Sequence, residues 1–215
     1  MPTQLTHKCT HFDREIVSIY KDLWKKWAEQ ENIKVRKKPV NKGIYRLTED
    51  HRDMIKILFV CHGNICRSTM SQFVLQHMVN QAGIAEQFHI DSRATSTEEI
   101  GNPPHSGTVR KMREVGIPVL PHRATQITWS DYKDFDYIIG MDGWNMRNLN
   151  RMLKGDPDGK VHKFLTFAGS DRDIADPWYT GNFDDTYRDV VEGCEGLLKY
   201  LKEKGEVDCH PWRNT

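Results

Sequence analysis

The chain has 215 residues, 38% of them hydrophobic and 28% charged, with a formal charge of +1 at pH 7. That length supports one substantial core with a small added element, and the balanced charge, with no basic stripe, gives no reason to expect a nucleic-acid partner. No apolar run reaches membrane-spanning length and the amino terminus lacks a signal-peptide core, so no membrane association is expected.

Phe12, Ile16, Ile19, Tyr20, Leu23, Trp24 and Trp27 recur at helical spacing behind Thr10-x-x-Asp13, a capping signal. They predict an amphipathic helix over residues 11–31, followed by a solvated linker at Arg36-Lys37-Lys38-Pro39. The apolar face of that helix has to be covered by the rest of the chain, by a partner or by a second copy. The expected organisation is an amino-terminal extension over 1–53, a main domain over 54–203 and a tail over 204–215.

Lys56-Ile57-Leu58-Phe59-Val60 is short, apolar and rich in strand formers, as expected of a strand buried on both faces. From Arg67 the period changes. Met70, Phe73, Val74, His77 and Met78 recur at helical spacing and predict an amphipathic helix. Between the two lies Cys61-His62-Gly63-Asn64-Ile65-Cys66-Arg67-Ser68. Such a loop points its backbone N–H groups and the helix dipole at one place, which favours an anion. Gly63 permits close backbone approach, and Asn64 tolerates the left-handed region. The N–H groups of His62, Gly63, Asn64, Ile65 and Cys66 can then converge as a nest on phosphate. Arg67 adds a planar fork matched to two phosphate oxygens. The same positive dipoles favour the thiolate of Cys61, and Ser68 is placed to hydrogen-bond its sulfur.

Further strand-like runs follow at 88–92, 135–141 and, more weakly, 161–165, alternating with helical patterns in the manner of βαβ units. Asp142 is placed to cap the helix it begins. Asp176-Pro177 restricts the backbone around a carboxyl that a loop could bring over the cradle. Trp178 and Tyr179 follow it as a candidate aromatic wall. A last helix carries one apolar stripe of Phe183, Tyr187, Val190, Val191, Cys194, Leu197, Leu198 and Leu201. Five cysteines without framework spacing point to a reducing, cytoplasmic setting, and Cys9 and Cys209 carry no visible chemistry.

Val60 to Ser68 resembles the phosphate loop of the low-molecular-weight protein tyrosine phosphatases. The resemblance continues through Asp91-Ser92-Arg93-Ala94-Thr95-Ser96, Gly116-Ile117-Pro118, His122-Arg123-Ala124, Met141-Asp142 with Asn145 and Leu149, and Asp176-Pro177-Trp178-Tyr179. It covers Met54 to about Lys202. It implies a three-layer α/β/α fold around a four-stranded parallel sheet, like that of phosphotyrosine protein phosphatase I, preceded here by the helical extension. It implies hydrolysis of phosphotyrosine proteins and small aryl phosphates, with no metal or other cofactor. Cys61 would be the nucleophile, Arg67 the oxyanion ligand and Asp176 the general acid. Ser92 and His122 would support Asn64. Cys66 would capture an oxidised Cys61 as a reversible disulfide.

The chain departs from the family pattern at Thr69, where proline is common, at Ser71-Gln72 in place of Ala-Glu, at Glu98 on the cleft rim, and at Thr125 in place of arginine. Two relatives share the cradle. Arsenate reductases use extra cysteines, and none occurs between residues 90 and 130. Protein-arginine phosphatases carry threonine where this chain has Ile65. A non-catalytic phosphate-binding module would lose the nucleophile or the acid, and both are present.

Overall fold

The computed structural model describes residues 54–207. The expected helix over 11–31, the linker at 36–39, Cys9 and Cys209 lie outside the described residues. Four strands form one parallel sheet: β1 (Ile55–Cys61), β2 (Phe88–Ala94), β3 (Tyr137–Gly140) and β4 (Val161–Lys163), in the order β2-β1-β3-β4. These are the four predicted runs, with boundaries shifted by a few residues. Central β1 pairs with a neighbour on both sides, and Ile57, Leu58, Phe59 and Val60 are fully buried. Each such side chain contributes about 1.5–3 kcal/mol relative to exposure.

The helices are α1 (Arg67–Gln81), α2 (Ser106–Glu114), α3 (Trp129–Asp134), α4 (Gly143–Met152), α5 (Pro177–Thr180) and α6 (Phe183–Glu203). Leu58, Val60 and Ile138 of the sheet pack with Tyr132 of α3 and with Leu149 and Leu153 at α4. Helices α1, α2 and α6 pack against one another, with α1 against β1 and β2. The result is the expected three-layer arrangement. Helix α6 buries Phe183, Val190, Val191, Cys194, Leu197 and Leu201, whereas Tyr187 and Leu198 are only half-buried. Glu206 accepts from the Tyr137 hydroxyl at 2.8 and 2.9 Å, and Val207 is buried, so the chain after α6 is still packed onto β3.

Helix α1 differs from its predicted amphipathic form. Arg67, Ser68, Thr69, Ser71 and Gln72 are buried along with Met70, Phe73, Val74 and Leu75, while His77 and Met78 are only half-buried. The helix lies between the sheet and α6, so its amino-terminal turns meet protein on every side. Its polar residues are buried because each finds a partner, local for Thr69 and Ser71 and distant in sequence for Arg67 and Gln72. Thr69 Oγ1 donates to the Cys66 carbonyl at 2.9 Å, and Ser71 Oγ to the Arg67 carbonyl at 2.9 Å.

Helix α6 also closes on the short 3-10 turn Phe164–Ala168 after β4. A Cβ at Gly196 would stand 2.7 Å from backbone atoms of Phe167 and Ala168. Alanine would gain about 1 kcal/mol of helix propensity over glycine, but displacing fixed backbone costs about 1–3 kcal/mol. Gly196→Ala is therefore expected to lower the urea midpoint of unfolding. A raised midpoint would contradict the close packing described here.

Candidate active site

The carboxyl ends of parallel strands are where open α/β sheets place their ligands. Here the segment from Cys61 to Arg67 leaves β1 and enters α1 at that edge. Asn64 is the pivot. Its φ of 58° lies in the left-handed region, while Gly63 keeps a negative φ. The left-handed residue of the loop is therefore Asn64, as its tolerance of that region suggested, and Gly63 takes an ordinary backbone conformation. A single left-handed residue costs roughly 1–2 kcal/mol, and a net hydrogen bond contributes about 0.5–1.5 kcal/mol. Asn64 makes several. Its N–H donates to Cys61 Sγ at 3.3 Å, and its Nδ2 donates to Ser68 Oγ and Ser92 Oγ, both at 2.9 Å. Its Oδ1 accepts from the Thr125 N–H at 3.1 Å, and its carbonyl faces His122 Nε2 at 2.9 Å.

These bonds have a direction. A carbonyl only accepts, so His122 Nε2 carries the proton. Ser92 Oγ donates onward to Gln72 Oε1 at 2.7 Å, and Gln72 Nε2 reaches the Ile90 carbonyl at 3.3 Å. Ser68 Oγ accepts from Asn64, which leaves its hydrogen for Cys61 Sγ at 3.1 Å. A relay therefore ends with two donors, the Asn64 N–H and the Ser68 hydroxyl, on the Cys61 sulfur. Cys61 is itself buried.

The floor of the cradle is suited to an anion. Cys66, at the N-cap of α1, makes no side-chain capping bond, and the first turn holds no acidic residue. Within the described residues, the N–H groups of His62, Gly63, Ile65 and Cys66 have no protein acceptor. The Arg67 guanidinium is 2% exposed. Its Nη1 donates to Asp142 Oδ2 at 2.5 Å and to the Ile174 carbonyl at 3.2 Å, and its Nη2 donates to Asp176 Oδ2. Its Nε is buried with no partner among the described residues. A buried guanidinium donor left unmatched is costly, and an oxyanion held beside the sulfur would satisfy it. Burial opposes the charge on Arg67, but Cys61, Asp176 and Asp142 outweigh it and hold the guanidinium more firmly protonated than usual. Burial first, then the adjacent Cys61 charge, push the Cys66 thiol up to about 12.

Asp176 is the N-cap of α5, with Pro177 at the first helical position. Its Oδ1 accepts from the Trp178 N–H at 3.1 Å, which leaves Oδ2 facing Arg67. The predicted carboxyl is thus brought to the cradle. Trp178 stands edge-on to His105 with ring centroids 5.6 Å apart, while Tyr179 is mostly exposed. At the other rim His62 Nε2 meets Glu98 Oε2 at 3.0 Å. Among the described residues there is no cluster of three or more His, Cys, Asp or Glu side chains able to hold a metal ion.

Three residues take part in the site beyond what the sequence indicated. Asp142 caps α4, as expected, with Oδ1 accepting from the Asn145 N–H at 2.6 Å, but its other oxygen also orients Arg67. Gln72 ends the relay through Ser92. His105 caps α2 through Nδ1, stacks on Phe183 at 5.4 Å and donates its own N–H to the Ile65 carbonyl at 2.8 Å. Placement at the exit of β3 pointed to Asp142. No local signal marked the other two.

A family model described as low molecular weight phosphotyrosine protein phosphatase matches residues 56–207. A low molecular weight protein-tyrosine-phosphatase of Bacillus subtilis, YfkJ, is 36% identical over 156 residues, 72% of this chain and 100% of its own length. Its crystal structure covers 72% of this chain and 98% of its own at a TM-score of 0.69. A low molecular weight protein tyrosine phosphatase from Streptococcus pyogenes is 42% identical, with a TM-score of 0.64 over 71% of this chain and 98% of its own. A Drosophila arginine phosphatase is 29% identical, with a TM-score of 0.64 over 69% and 98%.

Burial lowers the affinity of His122 for a proton, and it does the same for His77 and His162. A histidine lowered in the folded state leaves the unfolded chain binding more protons below its ordinary value near 6.5. Stability is therefore whole above that pH and declines as pH falls through it. Replacing His122 by asparagine should make the loss of stability between pH 7 and pH 5 smaller than in the wild type, read from urea midpoints. Identical pH slopes would contradict a buried, neutral His122.

Proposed function

This chain belongs to the low molecular weight phosphotyrosine protein phosphatase family, and we propose from that membership that it hydrolyses phosphotyrosine in proteins, and small aryl phosphates, through a cysteinyl-phosphate intermediate. The observation that carries the reading is the buried, unmatched Arg67 Nε beside a cysteine sulfur held by two donors. The Cys61 thiolate attacks phosphorus in line. The sulfur–phosphorus bond forms as the bond to the aryl oxygen breaks. The Arg67 fork and the loop N–H groups hold the equatorial oxygens. Asp176 in its acid form gives a proton to the leaving phenolate. The resulting carboxylate then takes a proton from water, which attacks phosphorus and breaks the bond to sulfur. The Ser68 hydroxyl stabilises the departing thiolate.

Asp142 retains Arg67 throughout, while Asp176 exchanges its contact with Arg67 for the leaving oxygen. Ile174 and Asp173 hold the preceding loop, through Ile174 N–H to the Met141 carbonyl at 3.0 Å and Gly143 N–H to Asp173 Oδ1 at 3.1 Å. Only the Asp176 side chain then has to move. Ile65 offers no hydroxyl for a phosphoguanidinium, which favours an aryl phosphate. Residues 1–53 are proposed as an appendage whose apolar helical face contacts a partner or a second copy.

Cys61→Ser should abolish turnover of p-nitrophenyl phosphate and of a phosphotyrosine peptide while retaining measurable phosphate binding. Asp176→Asn should slow substrates with poor leaving groups by about 100-fold or more and good ones far less. Faster release of phosphate from a phosphoarginine peptide than from its phosphotyrosine counterpart would contradict the substrate class. So would equal slowing of all leaving groups for the role of Asp176.

Cys66 is proposed as the resolving thiol. Peroxide converts the Cys61 thiolate to a sulfenic acid. The Cys66 sulfur then attacks the Cys61 sulfur, and the hydroxyl leaves as water with the Cys66 proton. Protonated at neutral pH, Cys66 is a slow nucleophile, so the bridge forms by attack within the loop rather than through a standing thiolate. After mild peroxide, peptide mass spectrometry should find Cys61 joined to Cys66. Sulfonic acid on Cys61 with no bridge would contradict it.

A further inference from the structure

Five large hydrophobic side chains are exposed among the described residues: Met54, Ile100, Trp144, Trp178 and Tyr179. Met54 precedes β1, but the other four stand on the loops and helix starts beyond the carboxyl ends of the strands, the edge that holds the cradle. Trp178 and Tyr179 flank Asp176. Trp144 stands apart from them, in the first turn of α4, and is 71% exposed. The guanidinium carbon of Arg147 lies 4.0 Å from its ring centroid.

This pair is joined to the cradle by a short covalent and hydrogen-bonded path. Asp142, the cap of α4, holds Arg67, and Gly143, the residue between Asp142 and Trp144, donates to Asp173 of the loop that carries Asp176. Among the described residues no carboxylate pairs with Arg147. The opposite rim, on the β2 side, is acidic, with Glu98 against His62 and Glu99 bonded to Asn102. A polypeptide lying across the cradle therefore meets Glu98 and Glu99 on one flank and, on the other, a stacked guanidinium near Asp173, whose carboxylate is paired with Lys163.

We propose that Trp144 and Arg147 form an accessory subsite for the polypeptide beside the phosphotyrosine, taking an aspartate or glutamate side chain. The proposal rests on the phosphatase reading above. The carboxylate pairs with the Arg147 fork, which the indole already holds in place. The aliphatic stem of the acidic residue lies along the indole edge. A small aryl phosphate has nothing to reach this shelf, so the subsite acts on protein substrates alone.

The test uses the full chain and three substrates: p-nitrophenyl phosphate, a phosphotyrosine peptide with glutamates on both sides, and the same peptide with glutamines. Arg147→Glu should lower kcat/KM on the glutamate peptide about tenfold, through KM, and abolish its advantage over the glutamine peptide. Trp144→Ala should lower it about fivefold. Both variants should keep p-nitrophenyl phosphate turnover within about twofold of wild type. An unchanged glutamate peptide, or an equal change on all three substrates, would overturn the subsite and leave the phosphatase reading standing. A wild-type chain that turns over none of the three would overturn both.

Discussion

The site depends on one residue held in the left-handed region. Asn64 bends the loop after β1 so that its following N–H groups face the same point as the start of α1. The conformation persists because its backbone and side-chain polar groups are matched, by Cys61, Ser68, Ser92, Thr125 and His122. Those partners come from β1, α1, β2 and the segment before α3. The loop is therefore shaped by the assembled sheet rather than by its own sequence. Removing any one partner would leave a buried polar group unmatched, with a cost of about 1–3 kcal/mol.

The same relay shapes the electrostatics. The Asn64 amide orients the Ser68 hydroxyl toward the Cys61 sulfur, while the Asn64 N–H approaches that sulfur from the backbone. Arg67 then supplies a fixed charge, braced by Asp142 rather than left to rotate. Breaking such a buried pair costs about 3–5 kcal/mol because it strands the remaining charge. The arrangement is preorganised for an oxyanion, and preorganisation is where much of the stabilisation of a charged transition state arises.

The strand, loop and helix around Cys61 were legible because their signals are local: an apolar run, a glycine and asparagine, and a change of period. The parallel four-stranded sheet followed from the alternation of such segments. Asp176 was legible through the proline that follows it and the order of motifs. Gln72 and His105 were not, because their roles depend on groups brought within reach from 20 and 40 residues away, the Ser92 hydroxyl and the Ile65 main-chain carbonyl. Helix α1 was read as amphipathic because the apolar residues do recur at helical spacing. Burial of its polar residues is decided by β2, the loops after β3 and β4, and α6, all distant in sequence, and periodicity cannot register it. The Thr128-x-x-Asp131 capping box of α3 is a local signal of the same kind.

The central claim is that the sulfur of Cys61 carries the phosphoryl group during turnover. Rapid acid quench of the wild-type chain with a phosphotyrosine peptide, followed by peptide mass spectrometry, tests it most directly. The expected result is a phosphate-mass adduct on the peptide that holds Cys61, reaching a steady level within the first turnover. Full hydrolysis of the peptide with phosphorus never found on that sulfur would contradict the account.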